Sequence, residues 1–433
     1  MKRVWSILLL LALVAAACGG DGDGGTPPGL GASERIESSP GQPVGLDPTD
    51  LTAQVTERDT SPGADGDAAN AVVAGANEFA VRFFRAAVPE PIENVVVGNY
   101  SLGTALFLTM AGTAGATSDG FADLLGVADV DPTELHSAVN AIDLILEGRA
   151  GDGLDISTAN KIFVQEGLEL RDEFLNIAVG SYGAPVAAVD FAGAPDEVVT
   201  AVNDWVADET DGFIDELTSG YSPQTDVVLA NAMYLKASWA VQFHRLEDPG
   251  QFTTQAGDVV DVELMGHDEF LPLHEGPDFV VVELPYLGGN LGLVVIQPAD
   301  LAAFEADLTA AQLRQITDGL HESGIHLTMP IWSTKTNIEA LEPLHEIGLP
   351  TEYDFSAMIA GGGSGYFIDS ISHVARIDVD ETGTTAGAAT DVVIAASHGP
   401  TVTIDKPFFY FIHDRGSGSI LFMGHVTNPT AAN

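Results

Sequence analysis

Cysteine is all but missing: Cys18 stands alone in 433 residues, so no disulfide can form within the chain and its stability must come from the core. Basic side chains are scarce too, 16 Lys and Arg against 63 Asp and Glu, a formal charge of −47. Five of them are lysine: Lys2, Lys161, Lys236, Lys335 and Lys406. Displacing counterions from a phosphate backbone takes Lys and Arg. No nucleic acid, heparin-like polyanionic cofactor or anionic membrane surface is therefore expected as a partner, which leaves partners that are neutral, cationic or reached by shape. So acidic and lysine-poor a surface suits a salty habitat. Long apolar runs are lacking as well. The stretch Ile7 to Val14 is too short to cross a ~30 Å hydrocarbon layer as a helix. What is present is a 45% hydrophobic, 18% charged chain, able to bury the core of one large domain or two ordinary ones and unlike a disordered acidic tail.

The first eighteen residues, MKRVWSILLLLALVAAAC, combine two positive charges, an apolar run, the small residues Ala15 to Ala17 and then Cys18. This reads as an export signal, placing the protein outside the cell or at its surface. The pattern resembles a bacterial lipoprotein signal, in which the cysteine is lipidated and becomes the new amino terminus; Ala15 stands where that pattern usually has Leu. Ordinary secretion is the other reading, and a lipid on Cys18 would be the only attachment to a membrane. Residues 19 to 70 are rich in Gly, Pro, Asp and Ser without apolar periodicity, which predicts a disordered, solvated tether.

From residue 71 to 433 the pattern is that of one globular domain. Val72, Ala76, Phe79, Ala80, Phe83 and Phe84 recur at helical spacing. A short strand follows at Val95 to Val97, then helices over Ser101 to Ala114 and Asp119 to Leu125. Strand patterns dominate later, at Val227 to Leu235, Phe279 to Pro285, Leu291 to Gln297, Ile325 to Pro330 and Val374 to Asp380. Helices are predicted at Thr309 to Gly319 and Ile338 to Ile347. The fold class is α+β.

Enzyme motifs fail one by one. No G-x-S-x-G exists to expose a nucleophile on a strained turn, and Gly361 to Gly365 misplaces its serine. His321 and His326 are five apart, off a common helix face. Asp378, Asp380, Thr382 and Gly383 begin like a calcium loop, but the twelfth position is Ala389 instead of a bidentate Glu. No zinc spacing, phosphate loop or second cysteine occurs, so no metal and no cofactor is expected. A hydrolase survives only because triads can be assembled from distant residues.

The informative stretch is Glu381 to Thr401, ETGTTAGAATDVVIAASHGPT, long, small-residued and nearly uncharged. So long a connection inside a compact domain is uncommon unless the loop has its own task. Every second residue from Thr384 gives Thr384, Ala386, Ala388, Thr390, Val392 and Ile394, which would fit the buried face of a strand. No proline interrupts it, as a central strand requires. A mobile surface loop and an insertable strand are both compatible with this composition.

At this point the chain resembles the serpins, over almost all of residues 72 to 430. Glu381-Thr382-Gly383-Thr384-Thr385-Ala386-Gly387-Ala388-Ala389-Thr390 looks like the hinge of inhibitory members, with Thr385 where a Glu is usual. The stretches Asn231 to Trp239, Asp405 to Phe409 and Ile420 to Pro429 are similar to family motifs in family order. The resemblance implies helices on a large, mostly antiparallel main sheet with smaller sheets and an exposed reactive loop, residues 381 to 404. It implies a monomeric suicide inhibitor, not an enzyme: a serine protease cleaves the loop, and the loop inserts into the main sheet before the covalent acyl-enzyme is released. The implied hinge residues are Glu381, Gly383, Thr384, Ala386, Ala388, Ala389 and Thr390, with Thr384 as pivot. The family's spacing puts the bait bond at Ser397-His398, with Ala396-Ser397 as alternative. Small residues there suit elastase-like or subtilisin-like targets. Ser101, Asn231 and His373 match residues that hydrogen-bond where the sheet opens, and Trp239 an aromatic near the loop's entry; Gly98-Asn99-Tyr100 departs from the family's usual Ser-Pro-apolar. The alternative is a non-inhibitory serpin acting as a binding module at the cell surface, which would be expected to carry Pro or charge in the hinge.

Overall fold

The computed structural model describes residues 49–50, 55, 57–88, 90–151, 153–268, 270–363, 365–368, 370–384 and 399–431. Its main sheet has seven strands, numbered here in chain order: β1 (Thr49–Asp50), β2 (Leu154–Gln165), β3 (Val186–Val189), β4 (Val227–Ser238), β5 (Trp332–Glu339), β6 (Ser372–Val379) and β7 (Gly383–Thr384). In space they run β1-β3-β2-β4-β7-β6-β5, antiparallel except for β3 beside β2. A second seven-stranded sheet is built from His321–Gly324, Phe270–Glu275, Phe279–Pro285, Leu291–Pro298, Phe408–Asp414, Ile420–Val426 and Val95–Val97, in that spatial order. Its inner strands are apolar on both faces: Leu291 to Ile296 and Ile420 to Val426 are buried without a break, as a strand covered on both sides requires.

Helices cover both sheets. Helix α1 (Gly66–Ala87) starts where the Asp65 carboxylate accepts the Asp67 N–H, and it buries Val72, Phe79, Ala80, Phe83 and Phe84 on one stripe. Each buried Val or Phe among them stabilises the fold by about 2 kcal/mol. Helix α2 (Asn99–Ala111) is almost uniformly buried and central. Helices α3 (Gly115–Leu124), α4 (Pro132–Glu147), α5 (Asp172–Tyr182) and α6 (Pro195–Glu209) follow. Among the described residues no helix is long and apolar enough to cross a membrane.

Three sequence expectations need correction. The helix expected at Ile338–Ile347 is a strand as far as Glu339 and a helix only over Leu341–Glu346, because Ile338 pairs with His373 across the sheet. The strand Thr401–Thr403 pairs in parallel with His326–Pro330, so the expected loop 381 to 404 ends earlier; His321 and His326 also sit on strands. The described part of the tether is attached, although most of residues 57–67 stay exposed: β1 extends the sheet beside β3, and α1 begins at Gly66. Residues 1 to 48, including Cys18, lie outside the described residues.

What attaches this segment is Arg58. Its guanidinium donates to Asn140 Oδ1 at 2.8 Å and to Asp143 Oδ2 and Glu147 Oε1 at 2.6 Å each, all on α4. The Asp143 side chain is 3% exposed and also accepts from the Tyr100 hydroxyl at 3.0 Å, whose pKa burial and then that carboxylate push up. Gly183 ends α5 in the left-handed region at φ 57°, and a Cβ there would press on Arg58 Cδ at 3.2 Å. Because Arg58→Ala removes the cation from an almost fully buried carboxylate, it is expected to lower unfolding free energy by about 3 kcal/mol. Urea unfolding of the two proteins measures this, and Arg58→Lys should recover only part, lacking the fork that reaches three acceptors.

Candidate functional site

The site is the seam between β4 and β6. Among the described residues no ladder joins these two strands; both pair instead with β7, through Gly383 opposite Ser238, Thr384 opposite Ala237 and Thr384 opposite Val379. Beyond Thr384, β4 from Val227 to Lys236 and β6 from Ser372 to Asp378 have a ladder on one side only among the described residues. Backbone N–H and C=O groups are obligatory hydrogen bonders, so such a pair of edges is a template for one more strand.

The upper end is closed by an aromatic stack. Trp239, directly after β4, stacks on Tyr286 with centroids 4.8 Å apart and planes at 9°, and its indole N–H donates to the Asp380 carbonyl at 2.8 Å. Tyr286 and Thr384 share a hydroxyl hydrogen bond of 2.6 Å, so the Thr384 side chain, 2% exposed, faces the interior. Burial pushes the Tyr286 phenol far up and keeps it neutral. Asp380 Oδ1 accepts from Thr382 N at 2.7 Å, Thr382 Oγ1 at 2.6 Å and Gly383 N at 3.2 Å, shaping the turn into β7. Position 383 must be glycine: a Cβ would lie 2.0 Å from the Ala237 carbonyl oxygen. Glu381 sits 3.8 Å from Arg245, itself paired with Glu263.

Halfway down, the amino end of α2 holds both flanking strands. Ser101 Oγ donates to Asn231 Oδ1 on β4, and Asn231 Nδ2 donates to Asn160 Oδ1 on β2 at 2.7 Å. The Gly98 N–H, at the helix cap, donates to His373 Nε2 on β6 at 3.0 Å. An accepting Nε2 means a neutral ring, and complete burial pushes the His373 pKa from 6.5 down to about 4. The departure at Gly98-Asn99-Tyr100 therefore leaves the network intact, because its link is a backbone N–H that any residue but proline could supply.

Ser101, Asn231 and His373 thus converge, while Trp239 and the hinge residues Glu381, Gly383 and Thr384 meet at the top. Ala386, Ala388, Ala389, Thr390, Ala396, Ser397 and His398 lie outside the described residues. Sequence reasoning missed Asn160, Tyr286 and the role of Gly98. A polar Asn amid the apolar alternation of β2 is the signal that could have found Asn160.

This geometry coincides with the comparisons. The family model described as serpin (serine protease inhibitor) matches residues 74–429. The chain is a serpin. An uncharacterised serpin-like protein of Thermococcus kodakarensis is 30% identical over 347 residues, 78% of this chain and 81% of that relative. The leukocyte elastase inhibitor of Bos taurus is 27% identical over 78% of this chain and 94% of its own length. Native tengpin, a thermophilic serpin, superposes with a TM-score of 0.75 at 23% identity, covering 87% of this chain and 97% of that one. Thyroxine-binding globulin with thyroxine gives 0.75 at 24% identity over 83% and 99%; at such identities these two likenesses speak for the serpin fold.

Protonating His373 would cost its hydrogen bond. With the folded pKa below the unfolded one, the stability this group contributes is fully present above about pH 6.5 and is lost as pH falls towards 4. Between pH 7 and 5 it should account for about 2 kcal/mol. His373→Gln, whose amide oxygen can still accept from Gly98, is expected to lose that much less stability over the same interval, read from urea midpoints at the two pH values.

Proposed function

We propose that this serpin is a suicide inhibitor of serine proteases that traps its target by inserting the cleaved loop between β4 and β6. The carrying observation is β7, which already starts such a strand with Thr384 facing inward. That orientation sets the phase of everything downstream, since side chains alternate with period two. Ala386, Ala388, Thr390, Val392 and Ile394 would share the inward face with Thr384. Each residue further along the loop would meet one residue earlier in β4, starting from Thr384 opposite Ala237, so Val392 comes opposite Leu229 and Ile394 opposite Val227. The small residues would pass the seam's middle and the two large ones reach its far end.

The chemistry belongs to the protease. Its serine oxygen attacks the carbonyl carbon of Ser397, the peptide bond breaks, and the amine of His398 leaves; Ala396-Ser397 is the alternative bond. Insertion of about ten residues, each with its N–H and C=O newly paired, would release on the order of 20 kcal/mol at about 1 kcal/mol per hydrogen bond and two bonds per residue. That rivals the stability of a whole domain, which is ample to drag and distort an acylated enzyme. The names of the leukocyte elastase inhibitors of Bos taurus and Sus scrofa, 27% and 29% identical, support a protease partner with a shallow specificity pocket. We further propose that the protein works as an exported monomer, held at the cell surface by a lipid on Cys18, and needs no metal or polyanionic cofactor.

Incubation with elastase-like and subtilisin-like proteases should yield a 1:1 adduct that survives denaturing gels, with a carboxyl-terminal fragment beginning at His398. Thr384→Arg would have to carry a charge into the buried face beside Tyr286, so it should be cleaved at the same bond without forming adduct. Clean cleavage of the unaltered protein would overturn the trapping reading in favour of a non-inhibitory serpin.

A further inference from the structure

We infer that the cavity at the far end of the seam is a binding site for a small amphiphile with an apolar chain and a cationic head, and that its occupant prevents loop insertion. The cavity measures about 400 Å³, within the range that holds a small organic ligand. Its floor is Leu102 and Leu106 of α2 with Phe355, Met358 and Ile359, all buried. Its wall is the first three residues of β4, Val227 to Leu229, and its lining includes Phe367, a large apolar ring left 66% exposed. Hydroxyls at Thr109, Thr218, Thr225 and Ser370 provide scattered polar contacts.

The charge pattern selects the head group. Among the described lining residues Asp226 is the only acidic or basic side chain. A carboxylate or phosphate would find no cation there and would face Asp226 instead, whereas an ammonium would be paired. Burial raises the Asp226 carboxyl above its ordinary value, and a bound cation would offset that desolvation.

The regulatory half of the inference rests on the proposed trapping mechanism. By the register of β7, the positions opposite Leu229 and Val227 are those that Val392 and Ile394 would take, so ligand and loop end compete for one space. A ligand bound there would leave cleavage untouched and slow insertion, diverting the inhibitor towards a cleaved substrate.

The test titrates the full chain calorimetrically with decylammonium, decan-1-ol and decanoate, below micelle formation and in 0.5 M salt to screen the acidic surface, roughly a 4 Å Debye length. Decylammonium should bind with 1:1 stoichiometry, about tenfold tighter than the alcohol, as one partly shielded charge pair allows, with decanoate silent. Asp226→Asn should abolish the preference for ammonium over alcohol, and Ala105→Phe, which fills the cavity from α2, should abolish binding by both. Multisite binding that Ala105→Phe leaves unchanged would overturn the site. For regulation, the loop is cleaved with and without saturating decylammonium, and adduct and thermal midpoint are compared. Less adduct and a smaller rise in midpoint with ligand support competition; equal values with ligand bound overturn it. Absence of adduct and of any rise without ligand would instead sink the trapping mechanism and leave the calorimetric result standing.

Discussion

The edges of β4 and β6 that face one another govern this molecule. A backbone edge inside a sheet is a row of unspent donors and acceptors, and the described residues match it only at Gly383 and Thr384. The two strands are nevertheless held in one sheet. β4 is fixed by its long ladder with β2, from Leu154–Ala237 to Val164–Val227, and β6 by eight pairs with β5. Helix α2 ties the halves together from beneath through Ser101 to Asn231 and Gly98 to His373. Each half is thus tied by its own ladder, and the link between the halves runs through α2.

The buried polar groups follow from that arrangement. Asn160, Asn231, Ser101 and His373 would be costly in an apolar interior, yet each finds a partner on the neighbouring strand or at the amino end of α2 beneath the sheet, and a satisfied network specifies one geometry where apolar packing would tolerate several. The top of the seam uses a different device: a flat Trp239–Tyr286 stack, a hydrogen bond between the Tyr286 and Thr384 hydroxyls, and a turn wound around Asp380. Together they hold Gly383 and Thr384 at the mouth of the sheet.

Much of the fold was legible in the sequence. Phe279–Pro285 and Val95–Val97 have the bounds their patterns predict, because a run of valines with β-branched side chains marks a strand locally. The pattern of the long strand β2 is hidden, since five of the seven residues from Asp155 to Lys161 are polar; long-range pairing with β4 overrides that weak local preference. Ile338 was assigned to a helix because its neighbours to Ile347 are helix formers, and its pairing partner His373 lies 35 positions away. The attached segment around Arg58 read as solvated because its partners, Asp143 and Glu147, lie on a helix some 85 positions further on.

The sequence by itself determined the family, through motifs in order, the acidic character, and the period-two alternation of small and apolar residues from Thr384 to Ile394. All of these are local or compositional, and a linear pattern is enough to record them. Only the tertiary structure decided which face of that alternation points inward, which groups complete the polar network, and that a cavity waits at the seam's far end. Those depend on Tyr286, Asn160, Gly98 and α2 meeting residues 71 to 275 positions away, and proximity of that kind is set by packing, on which the order of residues along the chain is silent.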